Sequence, residues 1–463
     1  MSDSDSSIPA CPKDRRAMIA IDLGAESCRV SLLRWLNDSP HIELVHRHAH
    51  APVNQNGEIR WDLRQITQQM DVGLRKCAEI AGEGIRSIAA DGWAVDYVRL
   101  NQNGEPLAEP FCYRDERTIR SQPEVYKRIS AARLRSITGI EMSRINTLYQ
   151  LCADADDLQD KPWLTLPEYT LHRLGGRAVA EYTNATHTQL VDAEKRSWSP
   201  EIFAAAGLVR NAAAPIVGPG TVIGKLKGRK RNLLGLDGAE LIAPACHDTA
   251  SAIAGIADSG DDWAYISSGT WSLVGTTLKE PINGEAAQTA NFTNLGAVGG
   301  RICFHKNVNG MWMLRQCMTE WAAEIDWTVP ELIAAAEHLP PPASLLNVDD
   351  PDLLLPGEMP ARMNRQLKRR GLQPLAEGAE AAPAMTSLIL HSLAARYGEI
   401  VSSLGQITGK KLRRIYIVGG GSRNTLLNRL TEAATGLEVR CGAVESATIG
   451  NFAVQLAALE DPV

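Results

Sequence analysis

Two glycine turns flanked by hydroxyl side chains are the residues of this chain whose types and spacing best suit chemistry. Each turn separates two runs of strand formers, at residues 18–33 and 264–277, and so predicts a β-hairpin. Gly24 and Gly269 occupy matching places in these runs. Glycine lets backbone N–H groups approach a polyphosphate, and two facing turns can hold one nucleotide between them. The pair therefore predicts two similar domains with ATP in a cleft between them.

Asp248 is the candidate for acid–base chemistry. It follows the apolar residues 241–245 and begins a run of small residues with a helical pattern, which places it at a strand-to-helix junction. An ionised carboxylate there can accept the proton of a hydroxyl whose oxygen attacks the γ-phosphate of ATP. Aspartate is also a favoured helix N-cap, and this segment alone leaves both interpretations open.

Asp22 and Arg29 flank the first turn and suit metal and phosphate binding. Mg²⁺ prefers hard oxygen ligands, often one or two carboxylates completed by phosphate and water. Asp22 ends the first strand and is a candidate ligand, directly or through water. Arg29 lies just beyond the turn and can reach phosphate. A turn-forming aspartate and a solvated strand arginine are the alternatives.

A short loop at residues 91–96, which we call the sugar loop, combines an indole with two carboxylates at the end of a predicted strand. Trp93 can pack on a sugar ring while Asp91 or Asp96 accepts hydrogen bonds from its hydroxyls. A tryptophan that only fills the core is the alternative.

Three histidines, His46, His48 and His50, recur at every second residue and so share one face of a predicted strand. Imidazole is a good transition-metal ligand, but no carboxylate or cysteine accompanies the three. We therefore expect an exposed strand face here rather than a metal site.

Strand and helix patterns alternate from residue 18 onward, which predicts an α/β fold. We expect a disordered leader at residues 1–17, a first domain at 18–257 and a second domain at 258–463. The first domain should contain a mostly helical insertion near residues 124–203. A separate unit near the end of the chain has a strand, a glycine turn and a helix in succession. Its turn makes Gly420 and Gly421 candidates for nucleotide contact.

Composition limits the classes of function. The chain has 463 residues, more than one core usually supports, with 22% charged residues and a net charge of −6. It lacks the basic excess of nucleic-acid-binding proteins. No apolar stretch approaches the roughly 20 residues of a membrane span, and no secretory signal is apparent. Nine scattered cysteines argue against disulfides and structural zinc. We expect a cytoplasmic monomer or homodimer that binds neither nucleic acid nor membrane.

Five motifs occur in one order along the chain and together resemble the FGGY family of carbohydrate kinases. They are Ile21-Asp-Leu-Gly24, His247-Asp-Thr-Ala-Ser-Ala252, Ser267-Ser-Gly-Thr-Trp-Ser272, Ile417-Val-Gly-Gly-Gly421 and Glu445-Ser-Ala-Thr-Ile-Gly-Asn451. Three further segments fit the same pattern: Asn146-Thr-Leu-Tyr-Gln-Leu151, Glu181-Tyr-Thr-Asn-Ala-Thr186 and Asn424-Thr-Leu-Leu-Asn428. Each motif alone is weak evidence for the family, whereas the ordered set of motifs is strong evidence.

The resemblance implies two ribonuclease-H-like domains of the actin-like ATPase type, with ATP and Mg²⁺ in the interdomain cleft. It implies transfer of the γ-phosphate to the 1-hydroxyl of a ketose, with L-rhamnulose the best match, and it makes Asp248 the general base. Residues implied to meet the sugar are Asp91, Trp93, Ala94, Asp96, His247, Asp248 and Thr249. Residues implied to meet the nucleotide are Ala25, Glu26, Ser27, Cys28, Arg29, Gly269, Thr270, Asn307, Gly420 and Gly421.

Several positions depart from the usual pattern of the family. Glu26 and Cys28 replace a serine and a glycine of the first turn, Ala94 replaces a glycine of the sugar loop, and Arg315 stands where glutamine is common. A carboxylate beside phosphates repels them unless it points away or meets Mg²⁺. The sequence therefore leaves open a kinase for another ketose, such as fuculose or xylulose, and a sugar-binding sensor with little catalysis.

Overall fold

A six-stranded mixed sheet lies in each half of the described chain, with one of the two predicted hairpins at its centre. The computed structural model describes residues 12–226, 236–258 and 260–460. Residues 1–11 of the expected leader therefore lie outside the described part. Ala17, the last leader residue, belongs to a strand instead, because its N–H donates to the Gly84 carbonyl at 2.9 Å.

The first half alternates strands and helices. Its strands are β1 (Ala17–Gly24), β2 (Ser27–Leu36), β3 (Ser39–Ala49), β4 (Val53–Gln55), β5 (Glu58–Arg60), β6 (Ile85–Gly92), β7 (Tyr97–Arg99), β8 (Trp163–Thr165), β9 (Ala180–Glu181), β10 (Val191–Asp192), β11 (Ser197–Trp198), β12 (Ile216–Val217), β13 (Thr221–Lys225) and β14 (Glu240–Ala243). Its helices are α1 (Leu63–Ile80), α2 (Thr118–Tyr126), α3 (Ala131–Thr138), α4 (Thr147–Cys152), α5 (Leu166–Arg173), α6 (Tyr182–His187), α7 (Pro200–Ala206) and α8 (Asp248–Ala254). The predicted first hairpin is confirmed as β1 and β2.

The strand order of the first sheet is β13–β14–β6–β1–β2–β3. β1 runs parallel to β6 and β6 parallel to β14, while β2 and β3 continue antiparallel from β1. β1 is buried along its length, as its nearly unbroken apolar run predicts. α1 packs on the sheet through Ile66, Met70 and Leu74. It begins after Asp62, whose carboxylate caps it by accepting a hydrogen bond from the Gln65 N–H.

The second half repeats this plan. Its strands are β15 (Trp263–Ser268), β16 (Trp271–Leu278), β17 (Thr293–Gly296), β18 (Ile302–Asn309), β19 (Arg414–Val418) and β20 (Glu438–Cys441). Its helices are α9 (Glu285–Thr289), α10 (Trp312–Trp321), α11 (Val329–Glu337), α12 (Met359–Arg369), α13 (Ala382–Thr408), α14 (Thr425–Thr435) and α15 (Ser446–Glu460). The sheet order is β17–β18–β16–β15–β19–β20, with β15 parallel to β19. The second hairpin and the late strand, turn and helix are confirmed.

The predicted helical insertion contains α2 to α7 and has a core of its own, which includes Leu148, Tyr149 and Trp198. It also contacts the second half of the chain. Arg135 at the end of α3 donates to the Phe292 carbonyl at 2.5 Å. The insertion therefore joins the two halves on one side of the cleft.

The last helix, α15, follows the second sheet in sequence but packs on the first. Its Phe452 and Leu456 form an apolar cluster with Met18 and Ala20 of β1. α15 also crosses α8 closely, because Gly450 places no side chain against the Ser251 carbonyl. This crossing holds the beginning of α8, where Asp248 lies, against the second half of the chain.

Two absences hold within residues 12–226, 236–258 and 260–460. None of the helices there combines the length and the apolar character that a bilayer crossing requires. The eight cysteines there all have free thiols.

Gly450→Ala is expected to lower the free energy of unfolding by about 1–3 kcal/mol, the usual cost of overpacking. The added Cβ would overlap the Ser251 carbonyl and force α15 away from α8. Urea unfolding of the wild type and variant measures the effect. Gly82→Ala is the matched control, since no heavy atom lies within 4 Å of a Cβ at that position. A Gly450→Ala variant as stable as the control would contradict the close crossing.

Candidate active site

The carboxyl ends of β1, β6 and β14 meet at one edge of the first sheet. Asp22 in β1 is the register partner of Asp91 in β6, and Gly92 forms a bridge with His247 just after β14. Asp248 follows as the first residue of α8. Because parallel strands end at the same edge, three carboxylates distant in sequence lie within electrostatic range of one another. We call Asp22, Asp91 and Asp248 the aspartate cluster.

Arg29 links Asp22 to the second half of the chain. Its Nη2 lies 2.9 Å from Asp22 Oδ2, and its Nη1 donates to Glu445 Oε2 at 2.7 Å. Arg29 is therefore not the solvated strand residue of the alternative interpretation. Burial raises the pKa of Asp22, although Arg29 opposes the shift. The N–H groups of Arg29 are not directed at Asp22 with the geometry of a hydrogen bond. Neither Asp22 oxygen therefore has a hydrogen-bond partner among the described residues.

Asp91 belongs to the aspartate cluster and not to the open part of the sugar loop. It has no exposed surface, and its Oδ2 accepts a hydrogen bond from Asn451 Nδ2 at 2.5 Å. Its Oδ1 has no partner in the described part of the chain. Burial and the nearby Asp22 raise the pKa of Asp91 well above its ordinary value. The expectation that Asp91 meets sugar hydroxyls is corrected, because its side chain is buried and bonds to Asn451 instead.

The Asp248 carboxylate is bonded on one oxygen and open on the other. Its Oδ1 accepts from the Thr249 N–H at 2.5 Å and the Thr249 hydroxyl at 3.2 Å, and lies 3.3 Å from His247 Nε2. Its Oδ2 takes part in none of the hydrogen bonds found among the described residues, and 34% of the side chain is exposed. Surrounding protein atoms and Asp22 raise the pKa of Asp248 to about 7. The N-cap interpretation is wrong, because His247 is the N-cap of α8.

α6 holds the backbone of the turn that precedes Asp248. Glu181 Oε2 accepts from the Cys246 N–H at 2.9 Å, and Thr183 Oγ1 accepts from the His247 N–H at 3.2 Å. Glu181 has no exposed surface, and burial raises its pKa to about 8. The sequence of this segment resembles a family motif but does not by itself indicate a role for these residues. The order of the motifs was the signal that pointed to them.

Asp96 is the last residue of the sugar loop and has no exposed surface. Its Oδ2 accepts from Nε1 of Trp61 at 2.7 Å and of Trp93 at 3.0 Å, and its Oδ1 accepts from Gln150 Nε2 at 3.2 Å. The expectation that Asp96 binds sugar hydroxyls is corrected, because the carboxylate orients the two indoles. Trp93 is 6% exposed with its ring 4.7 Å from that of Trp61, which favours the core-filling interpretation.

The sugar loop contains a strained residue. Val95 has a φ of +72°, which β-branched residues rarely adopt. Its carbonyl accepts from the Thr147 hydroxyl at 2.8 Å and from Gln150 Nε2 at 3.2 Å. Strain of this kind persists only where the surroundings enforce it. α4 therefore fixes the shape of the loop and the place of Ala94, which is partly exposed.

The first turn has Ala25 and Glu26 at its tip, between the paired residues Gly24 and Ser27. The side chains of Ser27 and Cys28 are buried, and burial raises the pKa of the Cys28 thiol to about 12. These two predicted phosphate contacts can therefore act only through their backbone. Their contact with the nucleotide stays a prediction.

The second turn is anchored to the beginning of α10. The carbonyls of Gly269 and Thr270 accept from the N–H groups of Met311 at 3.0 Å and Trp312 at 3.2 Å. Gly310 makes this contact possible, since a Cβ there would come within 2.8 Å of both turn carbonyl oxygens. The second turn is thus held rigidly beside a helix of its own half.

An ion pair between Glu26 and Arg315 joins the first turn to the same helix. α10 therefore contacts both hairpin turns, and the two turns converge as a shared nucleotide requires. Two of the residues that depart from the family pattern therefore meet each other. Arg315 offsets the charge by which Glu26 would repel phosphate.

The remaining predicted nucleotide residues lie in the second half of the chain. Asn307 Nδ2 donates to Glu141 of the first half, so its side chain spans the cleft. Gly420 borders open space, with no heavy atom within 4 Å of a Cβ built there. A Cβ on Gly421 would overlap the Ser268 hydroxyl, so the turn packs tightly against the end of β15.

The donor set of the aspartate cluster fits a hard cation. Both oxygens of Asp22 and Oδ1 of Asp91 are buried and lack hydrogen-bond partners in the described part of the chain. Magnesium held partly by phosphate and water needs only one or two carboxylates. The described ranges contain no group of three or more His, Cys, Asp or Glu residues arranged to hold a metal by themselves.

His46, His48 and His50 are each half-buried, so the expected exposed strand face is wrong. His46 Nε2 lies 3.0 Å from Gln69 on α1, and the His50 ring centroid lies 5.7 Å from that of Trp93. α1 and the sugar loop cover this face of β3.

Two family models together match nearly the whole chain. Residues 17–255 match the N-terminal domain of the FGGY family of carbohydrate kinases, and residues 264–459 match its C-terminal domain. The chain belongs to this family. It is therefore a phosphotransferase that uses ATP as co-substrate and an alcohol group as acceptor. This FGGY kinase has the predicted pair of actin-like α/β domains with a cleft between them.

Similar proteins cover most of the chain. A rhamnulokinase from Bacteroides thetaiotaomicron is 34% identical over 95% of this chain and 90% of its own, and one from Pectobacterium carotovorum is 37% identical over 96% and 88%. Ligand-bound xylulose kinase from Lactobacillus acidophilus has a TM-score of 0.78 at 17% identity, covering 96% of this FGGY kinase and 89% of that chain. Plasmodium falciparum glycerol kinase with ADP has a TM-score of 0.75 at 12% identity, covering 96% and 90%. The structures show a shared fold.

Arg315→Gln is expected to weaken ATP binding about two- to fivefold, the scale of an exposed ion pair, because it leaves Glu26 unpaired beside the phosphates. Glu26→Ser in the same chain should restore the affinity. Calorimetry with a non-hydrolysable ATP analogue measures both. Arg133→Gln is the matched control, because it breaks an equally exposed pair with Glu201 in the insertion. Equal affinities of the single and double variants would show that the pair is not coupled to ATP.

Asp248→Asn is expected to stabilise the fold more at about pH 8 than at about pH 5. The pKa of Asp248 is raised to about 7 in the folded chain from an ordinary value of 3.8. A carboxyl group whose pKa is raised in the folded chain contributes its full stabilisation below its ordinary pKa of 3.8. This stabilisation is lost as the pH rises through about 7. Urea unfolding at both pH values measures the difference, and an equal gain at both would contradict the raised pKa.

Proposed function

We propose that the protein transfers the γ-phosphate of ATP to the 1-hydroxyl of L-rhamnulose, giving ADP and L-rhamnulose 1-phosphate. The observation that carries the proposal is the Asp248 carboxylate, whose Oδ1 is occupied by Thr249 while Oδ2 is left for a hydroxyl. The choice of sugar is supported by the similarity to two rhamnulokinases over nearly the full length of the chain.

Asp248 acts as the general base in this reaction. Its Oδ2 accepts the proton of the 1-hydroxyl while the hydroxyl oxygen bonds to the γ-phosphorus, and the bond to the bridging oxygen of ADP breaks. A pKa raised to about 7 leaves the carboxylate substantially ionised at neutral pH and more basic than an ordinary aspartate. The proton then passes to solvent when the products leave.

Asp22 holds Mg²⁺, directly or through water, with Asp91 beside it. Mg²⁺ supplies charge neutralisation of the phosphates when it is bound. Arg29 keeps Asp22 oriented, and its pair with Glu445 holds the guanidinium in place. The residues proposed to bind ATP are the backbone of Ala25, Glu26, Ser27, Cys28, Gly269 and Thr270, the Arg29 guanidinium, Asn307, Gly420 and Gly421.

The sugar lies against His247, Thr249 and the sugar loop. The rigid shape of that loop supports a role in specificity, because Val95 is held in its strained conformation by α4. Ala94 adds a methyl group on the partly exposed side of the loop. Closure of the cleft around the sugar excludes water, which would otherwise accept the phosphoryl group.

Asp248→Ala is expected to lower kcat at least about 10²-fold, the scale of a lost general base, without changing the affinity for ATP. Coupled ADP release with L-rhamnulose, L-fuculose and xylulose measures the activity, and calorimetry with an ATP analogue measures binding. Near-normal turnover of the variant would refute the role of Asp248. Preference of the wild type for another ketose in the panel would refute the proposed sugar alone.

A further inference from the structure

A second histidine holds the ring of His247 on the side away from Asp248. Nε2 of His187 lies 3.2 Å from Nδ1 of His247, with the ring centroids 4.1 Å apart. Burial lowers the pKa of His247 to about 3 and that of His187 well below its ordinary value, so both rings are neutral near neutral pH. Two neutral imidazoles in contact share one proton, so one nitrogen donates and the other accepts.

The other ring nitrogen of His247 faces the carboxylate. Its Nε2 lies 3.3 Å from Oδ1 of Asp248. A lone pair at that nitrogen repels an ionised carboxylate, whereas an N–H group attracts it. A neutral imidazole carries only one ring proton, so a proton on Nε2 leaves Nδ1 as an acceptor. A protonated Nε2 of His187 is the donor that this acceptor requires.

The elements around the two rings reinforce this arrangement. His187 is the last residue of α6, which already holds the backbone of the same turn through Glu181 and Thr183. His305 on β18 lies within electrostatic range of both rings, and its Nδ1 lies 2.9 Å from the Tyr265 hydroxyl. Burial lowers the pKa of His305 to about 3, so this third ring adds no charge.

We propose that His187 is a positioning residue that donates to Nδ1 of His247 and so fixes the tautomer whose Nε2–H faces Oδ1 of Asp248. An N–H group at that 3.3 Å contact attracts Oδ1 alongside the hydrogen bonds from Thr249, and Oδ2 then keeps its orientation toward the acceptor hydroxyl. The inference rests on the proposed role of Asp248 as the base. His187 itself touches neither the sugar nor the phosphate in this assignment.

His187→Leu and His187→Gln distinguish positioning from packing. Leucine removes the donor and should lower kcat about tenfold, the scale of one lost hydrogen bond, while the KM for ATP stays unchanged. Glutamine can donate through its amide and should retain most of the activity. In an Asp248→Asn chain the leucine substitution should have no further effect, because the carboxylate that it disturbs is gone. His172→Leu is the control, since within the described part of the chain the His172 ring bonds only to the Gly176 carbonyl in the same half.

Nitrogen-15 NMR of the histidine-labelled chain without substrates separates this inference from the proposed function. We expect His247 as the Nε2–H tautomer in the wild type and as a mixture in His187→Leu. This change of tautomer supports the role of His187 even if no ketose in the panel is phosphorylated. The absence of phosphorylation would refute only the proposed function. An unchanged tautomer, or equal losses of kcat in the leucine and glutamine variants, would overturn the role of His187.

Discussion

The burial of three carboxylates at one sheet edge is the constraint on which the rest of the structure depends. Charges taken out of water are costly unless they are paired, hydrogen-bonded or neutralised by a cation. Arg29 lies against Asp22, Asn451 donates to Asp91, and Thr249 donates to Asp248. Among the described residues, the buried oxygens of the cluster left without a hydrogen-bond partner belong to Asp22 and Asp91. The buried carboxylates thus carry more negative charge than Arg29 balances. A cation bound together with the nucleotide would neutralise the excess.

Most of the partners of this cluster come from elsewhere in the chain. Glu445 and Asn451 belong to the segment that leads into and forms α15, while Glu181 and Thr183 reach the turn before Asp248 from the insertion. These contacts give a structural role to motifs that have no obvious chemistry of their own. They fix the positions of a few short turns, while the groups proposed to react stay accessible.

Local patterns allowed the hairpins at Gly24 and Gly269 to be predicted, together with the late strand and the junction at Asp248. Each of these depends on residues adjacent in sequence. The burial of Asp91 was beyond such reasoning, because it follows from the parallel register between β1 and β6. Asp96 likewise points away from the cleft because Trp61, distant in sequence, donates to it. The pairing of Glu26 with Arg315 needed both halves to be placed together.

The return of α15 to the first sheet has a mechanical consequence. The chain passes between the lobes once after α8 and once more before α15, so two connections join the lobes rather than one. Cleavage of the chain at the first connection alone would not release an intact lobe. Separating the lobes would expose the apolar contact of Phe452 with Met18 and Ala20 to water.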